Sequence, residues 1–395
     1  HTVIAHRGLI KTYSFIFASE MKQLIDFVTD DSYIKQFNPG SYSKFTIHPF
    51  PSSDSLLDAK WICEIDQKPI TTTNYVVNKT IVNDNMSRRL IRKSFENAVL
   101  KRITNTDREI GCLLSGGLDS SLVAALVQQF SKKKIHTWSI GLPGSEDLKY
   151  AKKTADFLGT IHHHIEVTEK EFIDSIDEVI YTIESYDTTT IRASVGNWLI
   201  AKYIKNTNDS IKVIFNGDGS DELTGGYMYF HNAPDILECD KECKRLLNHI
   251  HYFDVLRSDR SISSHGLEAR TPFLDREFVQ TYLSIPVSFR HANLHRKDMM
   301  EKQLLRHAFW NQDKSKQILP DSILWRPKEA FSDGVSSLKK KEDPKNLKRK
   351  PSTIVMKYMQ DFGYKVIPVN PFAVGEVIYG ESVVASLKNI NIPID

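Results

Sequence analysis

The chain has 395 residues, with 52 Lys/Arg against 49 Asp/Glu, a formal net charge of +3 and a mean hydropathy of −0.34. That length exceeds one ordinary core, so two or three units are expected. A hydrophobic content of 41% with 26% charged residues suits a soluble globular protein.

From Ser336 onward ten Lys/Arg face six Asp/Glu, which leaves 42 against 43 in the rest of the chain. A near-neutral main body argues against a broad nucleic-acid surface, so no nucleic-acid partner is expected. No apolar run reaches membrane-spanning length, so no membrane partner is expected either. The start at His1 shows no signal-peptide h-region, and a chain that does not begin with Met reads as a fragment or an incomplete gene model. Only Cys63, Cys112, Cys239 and Cys243 are present, which suits a reducing compartment and, with the missing signal, the cytosol.

Taken in chain order, residues 13–17 and 44–48 are strand-like, the second alternating cleanly, and the turn at Pro39-Gly40 lies between them. Both suit an antiparallel sheet in a first unit, residues 1–66. Residues 67–85 read as a polar linker. Residues 86–101 have helical apolar spacing (Leu90, Ile91, Phe95, Val99).

Next comes the most informative run, Leu113-Leu114-Ser115-Gly116-Gly117-Leu118-Asp119-Ser120-Ser121. An apolar strand, residues 112–114, stops at Ser115, and an apolar helix follows over 120–130. Gly116 and Gly117 let the backbone take positive φ and approach an anion. The N–H groups of the turn and the helix dipole favour negative charge there. Ser115, Ser120 and Ser121 add hydroxyl donors. The chemistry implied is a phosphate cradle. It is not a Walker A loop, because the spacing is too short and no Lys-Ser/Thr pair follows the second glycine. Asp119 stands where that loop has its lysine, and a carboxylate beside phosphate implies an intervening cation, Mg²⁺.

Strands and helices then alternate. Residues 135–140 are a strand; residues 147–158 are a helix stopped by Gly159; residues 164–167 are a short strand; 172–183 and 196–204 are helices. The buried strand 211–215 flows into Asn216-Gly217-Asp218-Gly219-Ser220-Asp221-Glu222. From Cys243 to about Phe309 the pattern is mostly helical. This alternation predicts a parallel sheet flanked by helices with right-handed crossovers, its ligand outside the carboxyl ends of the strands. The loops after Leu114, Ile140 and Phe215 could all converge there.

The Ser-Gly-Gly-x-Asp-Ser run resembles the pyrophosphate loop of the ATP-pyrophosphatase families. Five further pieces occur in order: residues 138–145, 186–194, 217–227, 266–275 and 326–335. Together they resemble the glutamine-hydrolysing asparagine synthetases over a synthetase region of residues 86–335, whose fold is of the adenine-nucleotide α-hydrolase-like type. Residues 17–22 and 38–40 resemble the closing part of that family's N-terminal-nucleophile glutaminase domain, so residues 1–66 would be an incomplete remnant of it. The resemblance implies a carbon–nitrogen ligase working in two steps. The aspartate β-carboxylate attacks the α-phosphate of ATP, releasing pyrophosphate. Ammonia, drawn from glutamine in the family, then displaces AMP to give asparagine. The implied cofactors are ATP and Mg²⁺, the partners are small molecules, and a homodimer is left open.

Roles follow residue by residue. Asp119 and Asp221 are expected to ligate Mg²⁺; the alternative for each is a helix N-cap. Ser115, Gly116, Gly117 and Ser120 are expected to hold phosphate. The resemblance places Leu114, Ile140, Asn216 and Gly217 against the nucleotide, although by pattern Leu114 and Ile140 are simply core residues. Lys328 is expected to stabilise charge on the reacting phosphates. Arg192 is expected to pair with a substrate carboxylate, with a structural ion pair as the alternative. Thr189, Thr190 and Glu222 complete the expected substrate set. Asp218 departs from the family, which usually has Glu there; it is expected to handle the proton of incoming ammonia with a shorter reach.

Cys239 and Cys243 lack zinc-ribbon spacing and read as plain thiols. His162-His163-His164 form one cluster without a second ligand group, which does not read as a metal site. The first cysteine, Cys63, lies past the family's end-of-domain elements, so the polypeptide as it stands is expected to use free ammonia rather than hydrolyse glutamine. Residues 336–395 depart from the family as a divergent basic tail. The lost nucleophile, Asp218 and the tail support an alternative, an inactive scaffold or partner subunit; a related adenylating enzyme acting on another carboxylate is the other.

Overall fold

The computed structural model describes residues 3–9, 12–28, 34–49, 59–70, 75–292, 294, 300–327, 360, 377–378 and 381–382. The chain divides into two compact units, His1–Tyr75 and Val76–Asp395.

In the first unit, β1 (Val3–Leu9) pairs antiparallel with β2 (Thr12–Ala18) and with β3 (Ile34–Gln36). β4 (Ser41–Pro49) pairs antiparallel with β5 (Ala59–Pro69), with register shifts between Tyr42 and Phe45. The Phe45 ring lies 4.7 Å from Phe15 and 5.3 Å from Phe17. Leu24 is fully buried beneath Ile16, Ala18, Val28 and Ile34. The expected antiparallel sheet is present. β5 runs on to Pro69, into the stretch read as polar linker, because its alternation of apolar and charged side chains is itself a strand signature.

The second unit opens with α1 (Asp84–Thr104), whose first turn is capped by Asn83 accepting from Met86 N–H. Then follow β6 (Glu109–Leu113), α2 (Leu118–Phe130), β7 (His136–Gly141), α3 (Glu146–Leu158), β8 (Ile161–Glu166), α4 (Glu169–Asp174), α5 (Ile176–Ile183), α6 (Thr188–Thr207) and β9 (Ile211–Phe215). After these come α7 (Ser220–Thr224), α8 (Ile236–His249), α9 (Asp254–Ser263), β10 (Glu268–Arg270), α10 (Arg276–Ser284), α11 (Val287–Arg290), α12 (Gln303–Phe309) and α13 (Asp321–Leu324).

The sheet is parallel, in the order β10-β9-β6-β7-β8. The chain winds outward one way from β6 through β7 to β8, and the other way through β9 to β10. The order reverses between β6 and β9. That is the topological switch point, where open α/β sheets place their ligand. The fold is the parallel sheet flanked by helices that the sequence predicts.

One sheet face carries Trp138, Ile140, Ile165, Ile211 and Ile214 against Ile200, Ala201 and Ile204 of α6 and Ile262 of α9. α1 holds Phe95, fully buried, with its ring 4.3 Å from Phe273, 4.9 Å from Phe278 and 5.9 Å from Phe309.

Three local expectations change. The helix read over 172–183 is two, broken at Ser175, which ends α4 and begins α5. The helix read from 196 begins at Thr188, because Asp187 accepts from Thr190 N–H at 2.6 Å and caps a longer element. The mostly helical stretch after Cys243 contains an edge strand, β10, three residues long and too short to show alternation.

Candidate active site

Two loops leave neighbouring strands at the switch point and pack backbone to backbone. A Cβ on Gly217, just past β9, would lie 2.8 Å from Ser120 N and 2.9 Å from the Asp119 backbone. No residue but glycine fits that approach. Gly116 takes φ +73° and turns the first loop against α3; Gly117 has φ −77°, so only one of the two glycines uses the left-handed region. α2 has Gly117 as its N-cap and no capping side chain, which leaves the positive end of its dipole to whatever the loop holds. Ser115 and Ser120 hydroxyls bond each other at 2.9 Å.

The two loops bring Asp119 and Asp221 to one point, and the group at that point is Lys302. Its ammonium donates to Asp119 at 2.7 and 2.8 Å, lies 2.6 Å from Asp221 Oδ1, and donates to Ser220 Oγ at 3.2 Å. Ser220 Oγ in turn donates to Asp119 Oδ1 at 2.8 Å. The Lys302 side chain is 1% exposed. A Cβ on Gly226 would lie 2.1 Å from Lys302 Cε and 2.2 Å from Asp221 Oδ1, so that glycine clears the space for the pair. Lys302 itself takes φ +59°, a left-handed conformation for a non-glycine residue just before α12. Neither aspartate is an N-cap: Gly117 and Gly219 fill those positions, and both carboxylates sit in first helical turns.

Beside this junction opens a cavity of about 490 Å³, within the size range of small-molecule sites. Its walls include the expected Leu114, Ser115, Asp119, Ser120, Ile140, Thr189, Arg192, Asn216, Gly217, Asp218, Asp221 and Glu222. Thr190 is not among them: it is 4% exposed, and it sits behind the wall where Asp187 caps α6. Gly116 packs on Tyr150 and Ala151 instead of facing the cavity. A smaller recess shares Ser115, Asp119 and Ser120 with this cavity and is also lined by Gly117, Lys302, Arg306 and Arg326. Arg306 pairs with Glu301 at 2.5 Å, and Arg326 donates to Asp147 at 2.7 Å while stacking on Tyr150. Lys328 lies outside the described residues.

The far wall is an acid network. Tyr227 hydroxyl contacts Glu222 Oε1 and lies 3.1 Å from Asp254 Oδ2; Arg257 lies 2.6 Å from Asp254 and 3.7 Å from Asp218. Burial pushes the Glu222 carboxyl well above the usual range, helped by Asp254. Asp254, although buried, is held down at about 2 by the Arg257 guanidinium and by hydrogen bonds from Glu222, Arg257 and Tyr227. Glu222 therefore keeps the proton and Asp254 the charge. The Tyr227 hydroxyl donates toward this pair, and Glu222 donates to Asp254. Burial also raises Asp218, against the pull of Arg257. A buried carboxyl with a raised pKa beside a cavity is a candidate for proton transfer.

Sequence reasoning missed Lys302, Tyr227, Asp254 and Arg257. Lys302 reads as an ordinary lysine before a helix, and only the fold reveals its 183-residue reach to Asp119. The four cysteines are all free. Within the histidine run, His162 bonds Thr137 and Ser139, and His163 bonds His136 at 2.8 Å; no group of three metal-ligating side chains occurs among the described residues. No helix among them is long and apolar enough to cross a membrane.

The family model described as asparagine synthase matches residues 90–242 and 237–350, about two thirds of the chain. The chain belongs to the asparagine synthase family. A second model, described as a CoA binding domain, matches residues 345–395. The asparagine synthetase [glutamine-hydrolyzing] of Rattus norvegicus is 51% identical over 254 residues, covering 63% of this chain and 44% of that protein. The enzyme of the same name from Gallus gallus is 44% identical over 331 residues, covering 82% of this chain and 57% of that one. The chain thus spans about half the length of the curated relatives it matches. Among solved structures, an NH3-dependent NAD synthetase from Campylobacter jejuni overlaps 42% of this chain and 77% of its own at 18% identity, with a TM-score of 0.27, too low to bear on function.

Two predictions follow from this geometry. The raised Glu222 pKa means that the folded state holds a proton that the unfolded chain releases near 4.5. This contribution to stability is present at low pH and lost as pH rises toward the folded pKa. Glu222→Gln mimics the protonated acid, so the melting temperature of the variant relative to the parent should climb between pH 5 and pH 9. A constant offset would mean that Glu222 is ionised in the fold. Lys302→Met leaves two carboxylates facing each other; it should lower stability by about 3–5 kcal/mol in urea titration, with part of the loss recovered in the double variant Lys302→Met/Asp119→Asn.

Proposed function

We propose that this chain is an ATP-dependent ligase that adenylates the β-carboxylate of aspartate and amidates it with ammonia to give asparagine. The observation that carries the reading is the convergence of Asp119 and Asp221, from two loops, on one buried cation at the mouth of the switch-point cavity. Membership of the asparagine synthase family supports it.

The adenine and ribose fit against Leu114, Ile140 and Gly217, and the triphosphate fits along the loop at Ser115, Gly117 and Ser120. The donor set at Asp119 and Asp221 suits a hard cation, since both carboxylates already surround one positive charge. These two residues would hold Mg²⁺, which neutralises charge on the phosphates when bound. Arg192 and Thr189 receive the aspartate, the guanidinium pairing with its α-carboxylate. Attack of the β-carboxylate on the α-phosphorus expels pyrophosphate, and Lys302 with the α2 dipole offsets the charge that builds on the leaving group. Ammonia then attacks the acyl carbon, and Asp218 takes the proton that the new nitrogen must lose while AMP departs. Glu222, neutral and hydrogen-bonded, donates a hydrogen bond instead of adding a second negative charge beside Asp218.

The test is pyrophosphate release from ATP in an ammonium salt with Mg²⁺, with and without aspartate, together with asparagine measured by chromatography. The assay does not depend on where the ammonia would come from in a longer protein. Aspartate-dependent release matched by asparagine is expected; no release, or release indifferent to aspartate, would overturn the reading. Asp119→Asn should cut the rate roughly 100-fold or more. Asp218→Glu, which restores the longer acid of the family pattern, should keep or raise asparagine formation. A collapse to adenylation without amide would show that the site is built around the shorter acid.

A further inference from the structure

The turn that carries Asp218 is tied to two neighbouring elements. Asn216, the first residue after β9, donates its backbone N–H to Arg270 O of β10 at 3.1 Å. Its side-chain Oδ1 accepts from the Asp218 N–H at 3.3 Å, an Asx turn that serves the backbone two residues on. Its Nδ2 donates to Ser258 Oγ of α9 at 2.7 Å. Asn216 is 4% exposed and Ser258 1%. An amide has one accepting end and one donating end, so these two bonds together leave the Asn216 side chain a single orientation.

Asn216 and Asp218 line the cavity, and Ser258 stands behind Asn216. The Asp218 carboxyl itself is loosely held. Its Oδ2 is buried with no hydrogen-bond partner among the described residues, and its Oδ1 stands 3.7 Å from Arg257. The aim of the acid is therefore set from its backbone, where Asn216 and Ser258 act. The charged groups facing Asp218 are Arg257 and Asp254 of α9 and Asp221 of α7. Burial raises its pKa; Arg257 and then the Ser258 hydroxyl oppose the rise, while Asp254 and Asp221 add to it.

We infer that Ser258 is a positioning residue for the amide-forming step: by fixing the Asn216 amide it sets the turn that aims Asp218, and so fits the site to the shorter acid. The inference rests on the reading of Asp218 as the group that takes a proton from the incoming ammonia. Without the Ser258 oxygen, Asn216 Nδ2 loses its acceptor in a buried place. The amide is then free to turn its NH₂ toward the Asp218 N–H, where two donors meet and the turn opens. A carboxyl moved by about an ångström serves proton transfer poorly. Water then takes the place of ammonia on the waiting adenylate. It adds to the acyl carbon, the acyl–oxygen bond to the phosphate breaks, and aspartate and AMP leave, so pyrophosphate has been released without asparagine. A longer acid has one more torsion with which to re-aim, and depends less on the turn.

The test is a double-mutant cycle on the full chain, read as asparagine formed per pyrophosphate released in an ammonium salt with ATP, Mg²⁺ and aspartate. Ser258→Ala should lower that ratio roughly tenfold, the loss expected for one hydrogen bond in a buried polar unit. In the Asp218→Glu background the same substitution should cost about twofold at most. An equal loss in both backgrounds would mark a general structural role and overturn the proposal, as would an unchanged ratio in Ser258→Ala. Asn216→Ala breaks the same link from its other end; it should give the same loss, and it serves if Ser258→Ala does not fold. A second readout needs no ligase activity. The aspartate carboxyl carbon signal that vanishes in Asp218→Asn is followed against pH by NMR in the nucleotide-free chain. It should titrate at higher pH in Ser258→Ala, because a group that favours the charged form is gone. No pyrophosphate from the parent chain would sink the proposed reaction; an unmoved Asp218 titration would sink this inference by itself.

Discussion

A buried ammonium between two carboxylates from separate loops sets the geometry on which this site depends. Asp119 and Asp221 belong to different strand–helix units, and at contact distance two bare carboxylates repel. Lys302 Nζ, 2.6–2.8 Å from both, makes their approach favourable. The cost is high: the ammonium is desolvated and Lys302 sits in a left-handed backbone conformation. Burying a charge pair in this way is poor economy for stability alone, because an apolar core would do as well. It makes sense where a cationic point is needed beside an anion cradle. Gly217 lets one loop meet the other, and Gly226 gives the lysine its space. Each of these glycines faces backbone or a charged group at less than 3 Å, so a change at either would act on the charge cluster and not merely on a turn.

The sequence was legible where local chemistry carries its own signal. Strand, Gly-Gly turn and helix from 112 to 130 announced a phosphate loop, and the structure places that loop at the switch point of a parallel sheet. Asp119 and Asp221 could be paired by reasoning, since both follow strands and both loops are glycine-rich. Lys302 could not. It lies in no recognisable turn, and its neighbours Leu304, Leu305, Ala308 and Phe309 suggest an ordinary amphipathic helix. Its role arises from tertiary reach alone. Asp254 and Arg257 were hidden for a similar reason: on α9 they look like an i,i+3 surface pair, yet the fold turns them inward against Tyr227 and Asp218. Thr190 shows the opposite error. Its neighbours Thr189 and Arg192 face the cavity, but helical periodicity rotates Thr190 into the core.

Order within the acid network decides which carboxyl can act as a base. Asp254 and Asp218 share the positive charge of Arg257, and Glu222 lies against Asp254, so not all three can be ionised cheaply. Arg257 is closer to Asp254, at 2.6 Å, than to Asp218, at 3.7 Å. Asp254 therefore takes the charge and Glu222 stays protonated. Asp218 is left between, its pKa raised by burial but tempered by the same guanidinium. Burial thus favours a proton on Asp218 while the guanidinium opposes it.

The one-methylene difference at residue 218 has a structural reading in this network. A shorter acid stays near the backbone, where Asn216 Oδ1 accepts from the Asp218 N–H at 3.3 Å and the carboxylate stands 3.7 Å from Arg257. A longer acid could move its charge away from the guanidinium and farther into the cavity, or fold back and pair with it fully. The first would strengthen the base and the second would silence it. Asp, without that freedom, is fixed at an intermediate distance, so its basicity is set first by burial and then tempered by Arg257, which Asp254 holds in place. The wall behind the cavity thus bears on proton transfer at its surface, and α9, whose Ser258 also accepts from Asn216 Nδ2 at 2.7 Å, becomes part of the reacting centre.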